Sequence, residues 1–410
     1  MMLGTLSIEN QRYAARQKAA WLLAAAALNA LELAIPRLPF LPWLKPGFAN
    51  IITILWIAKF GVTDAMLYTV LRIWVSGFYF GFSLFTLSLS LTGGLLSTAA
   101  MSLLWMTLGK RGLAGTVGIA VTGALFHNAG QLGVVYLTMS RNMSLFGQIP
   151  FMLGASALFG TVTGALTPVI AKIIGYYDNT VGVDIKPKIT ACQSEKISND
   201  DSKNGCINNI SSHDVRPKKI NSSQSVGIVD KITVILTFAV SISIMFVSNS
   251  QVLVSSAILF SLISLILNPK KPLIFFYPLK FYMLFIFIAI TYLFFTYGTR
   301  VEWLPFTTNE GLTAFAKQSL RLWCWLQTTH ILKKFKFHEL FTNALYRFFP
   351  NKSDTIEAGM TALEHFPEVI KITKSEKKIP VKTLLLNPAK ALKAYMTDMN
   401  RKIERIVEER

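Results

Sequence analysis

The chain predicts an all-α fold, a polytopic membrane protein, and three observations predict it. Hydrophobic residues make up 52% of the 410 residues and the mean hydropathy is +0.44, too apolar for an ordinary soluble protein. Apolar runs of bilayer-crossing length recur through most of the sequence. Lys and Arg collect beside the ends of those runs and in the C-terminal tail, the placement that orients membrane proteins. The net charge of +19 is therefore assigned to orientation, and no nucleic acid partner is expected.

Six runs fill residues 1–175, at 18–35, 48–60, 62–81, 82–108, 113–139 and 149–174. The second is short for a full crossing, which suits a tilted, broken or re-entrant segment. The apolar stretch 19–30 is followed by Glu32, Pro36 and Arg37 rather than by a small-residue cleavage site, so it reads as a retained first helix. Arg12, Arg16 and Lys18 precede it and favour a cytoplasmic N-terminus. Alternation then puts Lys59, Lys110, Arg111 and Lys172 on the same side, which supports six crossings. The segment 36–46 (PRLPFLPWLKP) falls outside. Its prolines forbid a regular helix and suggest a structured cap over the bundle.

Residues 176–229 are rich in Ser, Asn, Asp and Lys and read as a flexible cytoplasmic linker. A second membrane block, 230–334, has apolar runs near 231–247, 252–267, 273–297 and 311–332. Lys270, Lys271, Lys333, Lys334 and Lys336 again fall on the cytoplasmic side, so four further helices fit. The last carries Lys317, Gln318 and Arg321, as an interfacial helix does. The tail, 335–410, is basic and helical in pattern, with both termini cytoplasmic. Phe337, Leu340, Phe341, Ala344, Leu345 and Phe348 form one apolar stripe. Ile356, Met360, Leu363, Val369 and Ile370 form a second, interrupted at Pro367, and Leu392, Tyr395, Met396, Met399, Ile403 and Ile406 a third. Such helices are expected to lie on the inner membrane face or to offer the stripe to a partner.

The most polar stretch at membrane depth is 123–131 (GALFHNAGQ). Gly123, His127 and Gln131 share a helical face, with Asn128 a quarter-turn away. Three strongly polar groups exceed what helix packing needs and point to a cavity that holds a small molecule. The fourth run adds Thr86, Ser88, Ser90, Thr92, Gly93, Gly94 and Ser97, which suit either close helix packing or substrate lining. Lys45 and Asn50 stand where the Pro-rich segment enters the second run. There Gly47 permits an unusual backbone, and Lys45 either attracts an anionic group or snorkels to the interface. Glu32 is another polar group at membrane depth. Asp64 and Arg72 are eight residues apart, and the expectation is that they neutralise each other or approach the interface. Lining residues are therefore expected to be Lys45, Asn50, Gly93, Ser97, His127, Asn128 and Gln131.

Enzyme signatures are lacking, and no catalytic role is expected. There is no G-x-x-x-x-G-K-[ST] phosphate loop and no H-E-x-x-H, since His338-Glu339 has no second His. Asp200-Asp201 continues into Ser-Lys-Asn-Gly and does not supply the aspartate-rich cluster that holds magnesium against a diphosphate. Cys192, Cys206 and Cys324 form no metal-ligand spacing, and Cys324 in an apolar run reads as packing. His127 has no ligand-type residue one turn away, so no metal site is expected.

The order PWLKPGFANI, LRIWVSG (71–77), LTGGLLSTAAM (91–101) and GALFHNAGQL (123–132) resembles the Gx transporter family, also labelled heptaprenyl diphosphate synthase component I. Through it the stretch 18–175 is similar to the substrate-binding S components of energy-coupling factor vitamin transporters. The resemblance implies a six-helix membrane module that captures a small molecule in a bacterial cytoplasmic (inner) membrane. More faintly, the second block resembles the coupling T component of the cobalt-transport type, through Glu310-Gly311-Leu312, Leu320-Arg321-Leu322 and the helix 338–346. Residues 362–370 resemble the region before that component's coupling helices. Arg321 and Arg347 are the coupling residues this resemblance implies. No cofactor is expected to be held directly. ATP would act through separate ABC-type ATPase subunits, while the chain itself meets the lipid membrane and a small-molecule substrate. An alternative is a non-catalytic membrane subunit supporting prenyl diphosphate or quinone synthesis, or a membrane scaffold for a soluble enzyme.

Overall fold

The computed structural model describes residues 2–33, 47–80, 84–138, 146–147, 149–174, 227–294, 296, 298–302, 304–335, 337–375 and 388–408. The cap at 36–46, with Lys45, and nearly all of the linker lie outside the described residues. Thirteen helices are named here in chain order. The first block gives α1 (Met2–Leu33), α2 (Ala49–Phe60), α3 (Val62–Phe80), α4 (Leu84–Leu104, prolonged by a π turn over Trp105–Gly109), α5 (Thr116–Thr138) and α6 (Ile149–Ile173). The helices α2 to α6 fall on five of the six apolar runs, and α1 covers the first run to Leu33 but starts well ahead of it, at Met2. The second block gives α7 (Ile228–Ser243), α8 (Ser250–Leu267), α9 (Tyr282–Ala289) and α10 (Asn309–Lys334). The tail gives α11 (Phe337–Phe348), α12 (Ser353–Ser375) and α13 (Pro388–Glu408). Besides helix there is a short antiparallel ribbon, β1 (Arg300–Val301) with β2 (Leu304–Thr308), just ahead of α10. Thr308 caps α10 by accepting from Gly311 N at 3.0 Å.

This is an all-α, multi-pass membrane protein. Among the described residues four helices are long and apolar enough to cross a bilayer, at Phe85–Gly109, Ile149–Ile173, Ile228–Phe246 and Ser250–Leu267. A pair bent by 46°, Pro272–Leu279 with Leu284–Phe294, makes up to five. The ten runs read from sequence are more than this, for physical reasons. The helix α2 has only 12 residues, α3 carries Asp64 and Arg72, α5 is diluted by His127, Asn128 and Gln131, and α10 is charged. On α7 and α8, Ile232, Leu236, Val254, Ile258 and Leu262 stay exposed, the apolar face that lipid covers.

The helices α1 and α2 form the centre. Every residue from Trp21 to Leu28 and from Ile51 to Ile57 is buried, so neither helix keeps a free face there. Trp56 stacks on Tyr68 at 4.2 Å and meets Trp21 edge-on at 6.1 Å, joining α1, α2 and α3. The glutamate expected at membrane depth, Glu32, has a structural task, since its carboxylate accepts from Ala49 N at 3.0 Å and caps α2. Gly47 has φ +78° at that entry, the conformation its lack of a side chain allows.

The tail stripes have a partner within the chain itself. Ile356, Ala362, Phe366 and Val369 of α12, and Tyr395, Met396, Met399 and Ile403 of α13, belong to the same core as α1, α2, α3 and α6. Tyr395 donates to the Ala27 carbonyl at 3.2 Å and Asn400 to that of Ile173 at 3.3 Å. The outward faces carry Glu357, Glu364 and Glu368 on α12, and Lys393, Asp398, Arg401 and Arg405 on α13. Charge of that density faces water rather than hydrocarbon, so the covered side of α1 looks toward an aqueous phase. The helix α11 ties the blocks together. Phe341 stacks on Trp74 of α3 at 3.8 Å, and Phe337 meets both Trp74 (5.0 Å) and Phe238 of α7 (5.3 Å).

Candidate functional site

The polar stretch of α5 lies in a seam against α4. Small residues set how close the two helices come. A Cβ on Gly93 would stand 2.9 Å from the His127 carbonyl oxygen and 3.2 Å from His127 Cε1. One on Gly130 would stand 3.0 Å from Gly93 Cα, and one on Gly123 would stand 3.2 Å from Ser97 Oγ. The seam thus brings together Gly93, Ser97, His127 and Gln131, four of the seven residues expected to line a site. Within it, Gln131 Nε2 lies 3.1 Å from His127 Nε2. The tautomer of the ring sets which of the two groups donates in that contact. The buried Ser97 Oγ and Gln131 Oε1 have no hydrogen-bond partner among the described residues. Their hydrogen-bonding capacity remains open to a ligand or water.

The other expected residues are placed apart. Asn128 turns to α6, donating to Ser156 Oγ at 2.7 Å, and Ser156 in turn donates to the Met152 carbonyl at 2.6 Å. Asn50 is half-buried in the first turn of α2, its backbone N bonded to the Gly47 carbonyl at 2.8 Å. Lys45 lies outside the described residues. Among those residues no group of three or more His, Cys, Asp or Glu could hold a metal ion.

The expected neutralisation of Asp64 by Arg72 does not form. Asp64, at the start of α3, is taken by three other groups. Lys18 of α1 reaches its Oδ1 at 3.0 Å, Thr355 of α12 donates to Oδ1 at 2.6 Å, and Lys352 bonds to Oδ2. Lys18 also bonds Asp354 Oδ2 at 2.6 Å and Thr355 Oγ1 at 2.7 Å. Two ammonium and two carboxylate groups thus close a neutral, mostly buried network between α1, α3 and the N-terminal end of α12. Sequence reasoning missed it because Lys18 and Asp64 lie 46 residues apart and the tail members lie 288 to 337 residues from them. The one available signal was a lysine and an aspartate flanking apolar runs on the same side.

Arg321 is half-buried on α10. It donates to the Val247 carbonyl at 2.7 Å and to Gln318 Oε1 at 3.0 Å, while Gln318 Nε2 donates to the Thr138 carbonyl at the end of α5. Thr138, Gln318 and Arg321 border a cavity of about 20 Å³, otherwise lined by apolar groups such as Phe85, Phe287 and Trp325. That is room for about one water molecule. Arg347 is exposed in the last turn of α11, away from this bridge.

Residues 22–170 match the family model described as heptaprenyl diphosphate synthase component I. The matched module begins within α1 and ends within α6, inside the stretch that carries the four motifs. It contains the whole α4–α5 seam, Asp64 and Arg72. No curated protein and no solved structure matches the chain. The likeness of 230–334 to a coupling component therefore rests on the sequence pieces alone.

Proposed function

We propose that the chain is an energy-coupling-factor-type transporter component that binds a small vitamin-like or isoprenoid-related molecule and imports it with separate ATPase subunits. The observation that carries this reading is the packing of α12 and α13 along α1. A tail with a water-facing charged side is joined to the core of the family-matched module. Movement imposed on such a tail reaches α1 and α3 through the Lys18–Asp64–Asp354 network and through the Trp74–Phe341 stack. Packed elements of this kind shift as units between discrete arrangements rather than bending continuously. The α4–α5 seam is the proposed ligand site. Ser97 and Gln131 offer open polar atoms there, and His127 orients the Gln131 amide. With no phosphate loop in the sequence, nucleotide chemistry belongs to the partner subunits.

A second reading is a non-catalytic membrane subunit in prenyl diphosphate synthesis, and the description of the matched family favours it. A melting screen of the purified full chain separates the two. Riboflavin, thiamin, biotin and a prenyl diphosphate are added one at a time. A true ligand raises the midpoint by mass action, by several degrees at about a hundredfold excess over Kd. A shift with a vitamin supports import. A shift with the prenyl diphosphate alone moves the reading toward isoprenoid chemistry. No shift with any of the four removes the binding role.

A further inference from the structure

Arg72 is 8% exposed, in the middle of α3, within the family-matched module. A buried arginine is ordinarily paired with a carboxylate or spread over carbonyl acceptors. Here Asp64, the acid closest to it on α3, is held by Lys18 and Lys352. Among the described residues Arg72 Nε has no hydrogen-bond partner, and the contact of the guanidinium is with the face of Tyr68, its Cζ 5.9 Å from the ring centre. A cation over an aromatic ring is stabilised, though far less than by a counter-charge.

The surroundings repeat the imbalance. Ser76, one turn further along α3 on the same stripe, is buried, and its Oγ has no hydrogen-bond partner among the described residues. The ring under Arg72 belongs to Tyr68, which stacks on Trp56 of α2, and the buried Trp56 Nε1 also has no hydrogen-bond partner among the described residues. An indole N–H and a guanidinium N–H can only donate, and a serine hydroxyl can donate. The α2–α3 contact therefore holds a positive charge without a carboxylate against it among the described residues, close to buried polar atoms that have no hydrogen-bond partner there, Trp56 Nε1, Ser76 Oγ and Tyr68 Oη, of which only the two hydroxyls could accept. Such a set is completed by an anion rich in acceptor oxygens, whose planar or tetrahedral oxygens suit the guanidinium fork.

We propose that Arg72 anchors the anionic group of the transported molecule, a carboxylate or a phosphate, with Ser76 and Trp56 as supporting donors. This rests on the small-molecule-binding reading and narrows its substrate to an anion. It also gives the module a second polar locus beside the α4–α5 seam.

The test uses the full chain in phosphatidylcholine nanodiscs, wild type and Arg72→Met, with Arg72→Lys as a conservative control. Melting is followed with inorganic diphosphate, farnesyl diphosphate against farnesol, and biotin against its methyl ester. A further arm replaces part of the phosphatidylcholine with phosphatidylglycerol, to separate a lipid headgroup from a soluble anion. We expect an anionic probe to raise the midpoint while its uncharged counterpart does not. Arg72→Met should weaken the binding about 10- to 100-fold, and Arg72→Lys should retain part of it. Without ligand, Arg72→Met should melt no lower than wild type, because it removes a buried charge that has no counter-ion. A lower unliganded midpoint for Arg72→Met, an undiminished shift in that variant, or no shift with any anionic probe or lipid overturns the proposal. If neutral compounds bind and anions do not, this inference falls while the binding role stands. If nothing binds, both fall.

Discussion

Lys18 and Asp64 form a buried ion pair, Nζ to Oδ1 at 3.0 Å, and the N-terminal end of α12 closes over it through Asp354 and Thr355. Breaking one side of a buried pair leaves the other charge stranded. Asp64→Asn should therefore destabilise the chain by about 3–5 kcal/mol, whereas Lys18→Met with Asp64→Leu should cost much less than the sum of the single changes. A double-mutant cycle on melting midpoints checks this. Additive costs would mean that the pair contributes nothing to holding the tail.

The Trp74–Phe341 stack, at 3.8 Å and 15° between planes, is the aromatic counterpart of that network. Truncating either ring to Ala loses burial and packing. The coupling between the two changes should be about 0.5–1.5 kcal/mol. Zero coupling would remove the stack as a link between module and tail.

The contact between α5 and α6 gives a test with an internal control. A Cβ on Gly160 would stand 2.5 Å from Val121 Cα, a backbone atom that cannot step aside, while one on Gly154 of the same helix meets nothing within 4 Å. Gly160→Ala should cost about 1–3 kcal/mol through overpacking, and Gly154→Ala should be neutral or stabilising by up to about 1 kcal/mol. Equal melting of the two variants would contradict the close approach.

How much of this was legible beforehand follows from where the information sits. The helices α2 to α6 fall on apolar runs, and α1 covers most of the first, because periodicity and length are local properties. The α4–α5 seam was foreshadowed by Gly93, Ser97, Gly123 and His127 at one-turn spacing. Asn128 turned out to face Ser156, since a quarter-turn of offset is enough to reach a different neighbour. The tail stripes at Ile356 and Met396 were visible, but what covers them is a long-range contact with α1 that periodicity does not encode. Asp64 and Arg72 show the same limit. Their spacing suggested a pair, and the partners that won come from α1 and from the tail.

The seam itself is tested by replacing His127 and Gln131 together with Leu. The pair removes a polar contact without adding charge, so insertion should persist, seen as unchanged membrane yield and a retained melting transition. Binding of whichever compound shifts the wild type should be lost. Binding at full strength would return these residues to helix packing.

The coupling claim is tested most directly by uptake. Cells expressing the full chain with an ABC-type ATPase pair are compared with cells expressing the chain alone, using the labelled compound that shifts the melting midpoint. ATPase-dependent accumulation is the predicted result, reduced in Asp64→Asn, where the tail is no longer clamped to α1 and α3. Equal accumulation with and without the ATPases would contradict coupling and leave the chain a binding protein of the membrane.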